Sequence, residues 1–216
     1  MFKANAYATP IRRIEERDTV LQSSINGLQK YLDAPFKEVD GWCTPHLFPA
    51  IVASRIHQES LGLTSAPIAE IGVFHGKFLL GLAALAGTQT GHYAIDVFDM
   101  QEFNLDGAGK GSLEMLKANA EKAGFSESDF TYFSADSMAI NRQQISEISA
   151  NAPGGFSFFS VDGCHTPEHT VNDARIAMEL TDTRGIVFID DYNNPNWPGV
   201  QEGICLLYTS PSPRDS

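Results

Sequence analysis

Residues 68–74 form an apolar run broken by one acid, Glu70, and the run passes through Gly72-Val73-Phe74-His75-Gly76 just before a helical pattern begins at Lys77. This strand-to-helix turn constrains the chain most. Glycine admits positive φ and lets a ligand come close to the main chain, and the helix that follows presents unpaired N–H groups. Such a turn suits a small polar ligand. By itself Glu-x-Gly-x-x-x-Gly is weak evidence, because some Gly-rich first turns only pack a helix on a strand.

The hydrophobic period changes at this point. Upstream, residues 11–33 read as a helix, with Ile11, Ile14, Val20, Leu21, Ile25, Leu28 and Leu32 at spacings near three, four and seven, and Asp33-Ala34-Pro35 ends it. A second helix is expected over residues 47–61, with Gly62 at its end. After Pro67 come short apolar runs at 68–74, 92–98, 130–134, 156–161 and 185–189, each read as a buried strand. Helical stretches at 77–85, 111–123, 140–150 and 168–180 separate them. The alternation predicts an α/β fold, a parallel sheet with helices on both faces.

Three parts follow from this pattern: an N-terminal helical segment over residues 1–66, a core over 67–204, and a tail over 205–216. Residues 205–215 spell CLLYTSPSPRD, the translation of a sequencing-library adapter, so the tail is read as non-native and the natural chain is expected to continue past Ile204.

The formal net charge of −12 disfavours nucleic acid as a partner, since neutralising phosphates needs basic clusters, and points to a small-molecule substrate. A composition 43% hydrophobic is enough for a real core. With Cys205 set aside only Cys43 and Cys164 remain, which is no disulfide framework. The N-terminus lacks the apolar core of a signal peptide, and no run approaches the ~20 apolar residues of a membrane span. The expectation is a cytoplasmic protein with no membrane partner, and self-association into a homo-oligomer stays open.

In open parallel sheets ligands sit beyond the carboxyl ends of the strands, and here those ends are acidic. Glu70 lies in the first run, Asp96 ends the second, Asp136-Ser137 follows the third, Asp162 ends the fourth and Asp190-Asp191 end the fifth. Any one of them could be a helix cap. Their recurrence at matching points is harder to assign to capping. An acid at the end of the second strand is the ribose-binding position of Rossmann-like sheets, which makes Asp96 the ribose candidate and brings Asp136 and Ser137 to an adenine. The missing third glycine argues against a dinucleotide.

Taken together, these segments resemble the class I S-adenosylmethionine-dependent methyltransferases. Glu70-x-Gly72-x-x-x-Gly76 is similar to their first motif, Asp96 to their second and Ser134-Ala135-Asp136 to their third. Val161-Asp162-Gly163-Cys164-His165 and Ile189-Asp190-Asp191-Tyr192 resemble segments of small-molecule members. The similarity covers about residues 40–204. It implies a doubly wound sheet ordered 3-2-1-4-5 behind N-terminal helices, with strands 6 and 7 missing. It also implies that Gly72 and Gly76 contact the methionine part of S-adenosyl-L-methionine, that Glu70 shapes the turn, and that Asp96 holds the ribose.

The reacting end of the cofactor is then expected to face Asp162, His165, Asp190 and Asp191. Related sugar and polyketide O-methyltransferases hold a divalent cation there, which implies Mg²⁺ on Asp162, Asp190 and Asp191. Those relatives read Asp-Gly-Asp where this chain has Asp162-Gly163-Cys164, so the base role passes to His165, with Asp162 beside it. His165 reads equally well as a partner of the next helix start. Asn193–Gly199 is expected to be a loop, with Trp197, like Trp42, either stacking on substrate or simply packed. A nicotinamide-dependent oxidoreductase or epimerase, and a cofactor-binding domain without chemistry, are the competing classes.

Overall fold

The structure, a computed structural model, describes residues 8–88 and 90–209, with side chains from residue 19 onward. Its strands are β1 (Ile68–Ile71), β2 (His92–Asp96), β3 (Phe130–Ser134), β4 (Phe156–Val161) and β5 (Thr181–Ile189). All pair in parallel, in the order β3-β2-β1-β4-β5, which is the Rossmann-like sheet expected from the sequence. The helices are α1 (Ala8–Asp33), α2 (Pro35–Glu38), α3 (Phe48–Ser60), α4 (Lys77–Leu85), α5 (Leu113–Lys122), α6 (Arg142–Asn151), α7 (Pro167–Leu180) and α8 (Pro198–Thr209).

Alternation along the strands splits the core in two. Ile68, Ala94 and Phe158 face α1, α3, α4 and α5, where Leu28, Phe48, Leu80 and Leu116 cover them. Ala69, Ile71, Tyr93, Ile95 and Phe159 face α6 and α7, against Ile145, Ile148, Ile176 and Leu180. Both faces of β1, β2 and β4 are thus dry, which fixes the height of their carboxyl ends.

The N-terminal helices are tied to that frame by polar groups. Arg55, 1% exposed, donates from Nε to the Leu85 carbonyl at 3.2 Å and from Nη1 to Leu63 O at 2.8 Å, bonds Thr64 O, and pairs with Glu59 at 3.1 Å. Gln58 Nε2 donates to Ser157 O at 2.6 Å, and the Tyr31 hydroxyl donates to Lys77 O at 2.8 Å. These bonds tie α1 to the start of α4 through Tyr31, and α3 to the end of α4 through Arg55 and to β4 through Gln58.

Three expectations need correction. β3, read as buried, is so only at Phe130, its other residues being half-buried or exposed because it pairs with β2 alone. The fifth strand starts at Thr181 rather than Gly185, directly after α7, and it is half-buried rather than buried because it pairs with β4 alone. Gly185 marks the irregularity between Phe156 and Phe158 in that pairing, where a Cβ would stand 2.6 Å from Phe156 O. The expected loop at 193–199 ends at Trp197, since Pro198 and Gly199 open α8. α8 runs through buried Gly203 and Ile204 to Thr209, with Cys205 and Tyr208 exposed; the rest of the expected tail lies outside the described residues.

Candidate functional site

The ends of all five strands open into one cavity of about 650 Å³. Gly72 and Phe74 enter its wall after β1, Asp96 at the end of β2, and Asp136 and Ser137 after β3. Asp162 and His165 line it after β4, and Asp190, Asp191 and Trp197 after β5. The β2–α5 connection, including Asn104, Asp106 and Gly111, walls another side, and Trp42, Thr44 and Leu47 reach it from the N-terminal segment. Three non-glycine residues with positive φ, Phe74 (52°), Phe98 (44°) and Asp191 (54°), sit at or next to this wall. Backbone held in that region costs about 1–3 kcal/mol and gathers at sites where geometry is over-determined.

The first turn is shaped by Asp96. Its Oδ2 accepts from the backbone N–H groups of Val73 at 2.7 Å and Phe74 at 2.8 Å, and its Oδ1 from Phe98 at 2.6 Å. Burial raises its pKa, against the lowering effect of these donors. The carboxylate expected on a ribose therefore also clamps the Gly72–Phe74 turn to β2. Gly72 is required by packing: at φ +83° a Cβ would overlap the Asp162 carbonyl and stand 2.6 Å from Gly163 N. Gly76, at φ +87°, caps α4, and a Cβ there would overlap Leu116. Gly72 lines the cavity and Gly76 does not.

At the other end of the cavity His165 is surrounded by carboxylates. Its Nδ1 lies 2.6 Å from Asp106 Oδ2, which also accepts the His165 backbone N–H at 2.9 Å. Its Nε2 lies 3.1 Å from Asp191 Oδ2 and 3.9 Å from Asp162 Oδ1, yet is buried without an aligned hydrogen-bond partner. The ring stacks on Trp197 with centroids 4.3 Å apart at 15°. Burial works to lower the imidazole pKa, but the Asp106 bond and then the Asp191 charge outweigh it, and the net shift is upward. In return the His165 bond holds Asp106 well below the usual carboxylate range despite its burial. Burial, followed by the charges of Asp190 and Asp191, pushes Asp162 well up.

One ligand atom each from Asp162, His165 and Asp191 lie within 4.8 Å of one another. Asp190, expected in this set, is exposed and uses Oδ1 to accept the Asp191 N–H at 2.9 Å. Two carboxylates and an orphaned imidazole nitrogen form a donor set that fits a divalent cation, with more nitrogen character than an all-oxygen Mg²⁺ site.

Glu70 does not reach the main cavity. It lines an adjoining one of about 340 Å³, walled by Trp42, Cys43, Lys77, Phe78 and Phe188. Its side chain is buried with Oε2 unpartnered, and burial, then the Asp162 charge, raises its pKa well above the usual range. Trp42 packs against Phe74 at 5.0 Å and lines both cavities. His75 stacks on Phe74 at 3.7 Å, and the Lys77 ammonium sits 4.8 Å over the Phe36 ring.

Asp136 and Ser137 stand together on the cavity wall, where the Asp136 side chain accepts the Met138 N–H at 2.9 Å. Two titratable lining residues, His169 and Asp106, fall outside the sequence expectation. His169 bonds Thr166 Oγ1 through Nδ1 at 2.7 Å and brings Nε2 to 3.7 Å from Asp136. It stands in the first turn of α7, just past the carboxyl end of β4, and that position was a legible signal. Asp106 had only a Gly-rich context, and its partner lies 59 positions away.

A family profile for the methyltransferase domain matches residues 69–192, more than half of the chain, and the protein belongs to that family. Among solved structures it is similar to cofactor-bound Rv0187 from MTB, with a TM-score of 0.52 and 14% identity over 89% of this chain and 79% of that one. It is also similar to apo CalS11, a TDP-rhamnose 3'-O-methyltransferase of calicheamicin biosynthesis, with a TM-score of 0.50 and 19% identity over 77% and 71%. An O-methyltransferase from Bacillus cereus in complex with SAH matches at a TM-score of 0.47 and 15% identity over 85% and 77%. At such identities the likeness is one of fold. No curated protein matches. No helix among the described residues is long and apolar enough to cross a membrane.

Proposed function

We propose that the protein transfers a methyl group from S-adenosyl-L-methionine to a hydroxyl of a small molecule, a sugar or another hydroxylated metabolite. The observation that carries this reading is one cavity with two chemically distinct ends. Asp96, Asp136 and Ser137 at one end offer acceptors for a nucleoside, and His165 with Asp162 and Asp191 at the other offers a seat for a proton. Asp96 keeps a free lone pair on Oδ1 for a ribose hydroxyl beside its bond to Phe98, and Gly72 leaves the turn backbone uncovered.

S-adenosylmethionine supplies the electrophilic methyl. In the proposed step the acceptor oxygen forms a bond to that carbon as the carbon–sulfur bond breaks, and His165 Nε2 takes the hydroxyl proton. Asp162 and Asp191 stabilise the resulting imidazolium. Trp197, stacked on His165, closes that end against water and offers its edge to the acceptor. CalS11 is described as acting on a rhamnose hydroxyl, the acceptor class assigned here by analogy of fold alone.

The orphaned Nε2 between two carboxylates favours a second reading, a divalent cation on Asp162, His165 and Asp191 that lowers the acceptor's pKa. Radiolabelled S-adenosylmethionine offered with a panel of sugars and nucleotide sugars tests the function: the reading predicts label in an O-methyl product and its loss in His165→Gln. No transfer to any hydroxylated acceptor refutes it. Loss of turnover in EDTA, restored by Mg²⁺ or Mn²⁺, selects the cation reading, and full turnover in chelator selects His165 as base.

A further inference from the structure

Asp106 lies on the connection between β2 and α5, outside every motif of the sequence, yet it is the best-held side chain at the reacting end. Its Oδ1 accepts the Ala108 N–H at 2.9 Å, and its Oδ2 receives both the His165 backbone N–H and the ring Nδ1. It is nearly buried, with 12% of its side chain exposed against 9% for His165. The connection is braced in turn by Asn104, whose Nδ2 donates to Gly109 O at 2.7 Å and to Gln101 Oε1 at 2.9 Å.

A neutral imidazole carries one proton, and carboxylates stand near both nitrogens. Asp106 competes for it on Nδ1 at 2.6 Å with aligned geometry, whereas Asp191 approaches Nε2 at 3.1 Å without alignment. Which nitrogen is protonated is set by the hydrogen bond the other makes. A fixed carboxylate on one nitrogen is also how proteins orient an imidazole toward a proton or a cation.

We infer that Asp106 is a positioning residue: it holds the proton of neutral His165 on Nδ1, so that the Nε2 lone pair faces Asp162, Asp191 and the acceptor. This rests on the proposed role of His165, and it serves that role whether Nε2 receives a proton or a cation. It further implies that the β2–α5 connection, a wall of the cofactor cavity, is also the element that arms the reacting end. Cofactor enclosure and His165 orientation are thereby coupled through one loop.

The test is two-bond ¹H–¹⁵N NMR of the histidine rings in the full chain, at a pH where His165 is neutral, with His165→Gln to assign the signal. Wild type is expected to show the proton on Nδ1. Asp106→Ala should move most of the population to Nε2–H, the form a free histidine side chain favours. A wild-type proton on Nε2, or an unchanged tautomer in Asp106→Ala, overturns the inference. The wild-type spectrum decides even if a variant fails to fold. Absence of SAH binding by wild type would instead strike the proposed function and leave the tautomer result standing.

Discussion

Gly72→Ala tests why the first turn is built on glycine. Gly72 sits at φ +83°, a left-handed conformation that costs an L-residue about 1–2 kcal/mol. The second cost is steric, because the added carbon overlaps the Asp162 carbonyl and stands 2.6 Å from Gly163 N, backbone atoms that cannot rotate aside. Relief requires parting the β1 turn from the end of β4, where Asp162 N donates to Ile71 O at 2.8 Å. Losing one such buried bond adds about 1–3 kcal/mol, for a sum of about 4 kcal/mol. In a chain of this size that lowers the melting temperature by about 8–16 °C. Gly124→Ala isolates the backbone cost: at φ +91° its Cβ would meet nothing within 4 Å. That variant should lose about 1–2 kcal/mol, or about 2–8 °C. Circular dichroism melts of the two variants beside wild type give the comparison. If Gly72→Ala melts no lower than Gly124→Ala, close packing of β1 on β4 is not what demands the glycine.

Two further outcomes follow from buried charge. His92 is fully buried, and burial lowers its pKa from 6.5 to about 4. The unfolded chain therefore binds a proton that the folded chain refuses, so stability present above about pH 6.5 is lost as pH falls toward 4. Between pH 7 and 5 the loss is about 2 kcal/mol. Asp173 is pushed up to about 6 by burial and works in the opposite sense over the same range. The effect is accordingly read as the difference between wild type and His92→Gln in urea denaturation at the two pH values, and equal slopes would contradict it. Arg55→Ala leaves Glu59 buried without its cation and strips a donor from three carbonyls, so unfolding free energy should fall by about 3–5 kcal/mol. A change below 1 kcal/mol would show that α3 is held by its apolar contacts alone.

The parts of the molecule legible in its sequence are those where local pattern and burial agree. β4 and α4 fall where the apolar runs place them, because each is bounded by residues that stop it, such as Gly76 before α4 and Asp162 after β4. The start of β5 was hidden by Asp182, Thr183 and Arg184, polar residues that stand outside the apolar run. On an edge strand they can point to water, and Arg184 pairs with Asp182 at 2.8 Å. The carboxylates at the strand ends were visible because topology alone gathers them. Their detailed partners were not. Asp96 bonds three backbone N–H groups, Asp190 stands outside the Asp162–His165–Asp191 group, and Asp106 meets His165 across the sheet edge. Each of these depends on loop conformation, which short-range pattern does not encode. Gly72 illustrates the same limit: the sequence offers ligand approach as its reason, and a backbone contact with the β4 end supplies a stronger one.

The central claim is that the cavity over the strand ends takes S-adenosylmethionine. Titration calorimetry of the whole chain with SAH and, separately, with NAD measures this without any knowledge of the acceptor. The account predicts one SAH bound per chain, no heat with NAD, and weakened SAH binding when Asp136→Ala removes a carboxylate from the nucleoside end. Binding of NAD in preference to SAH would contradict it and return the Asp96 and Asp136 end to an oxidoreductase.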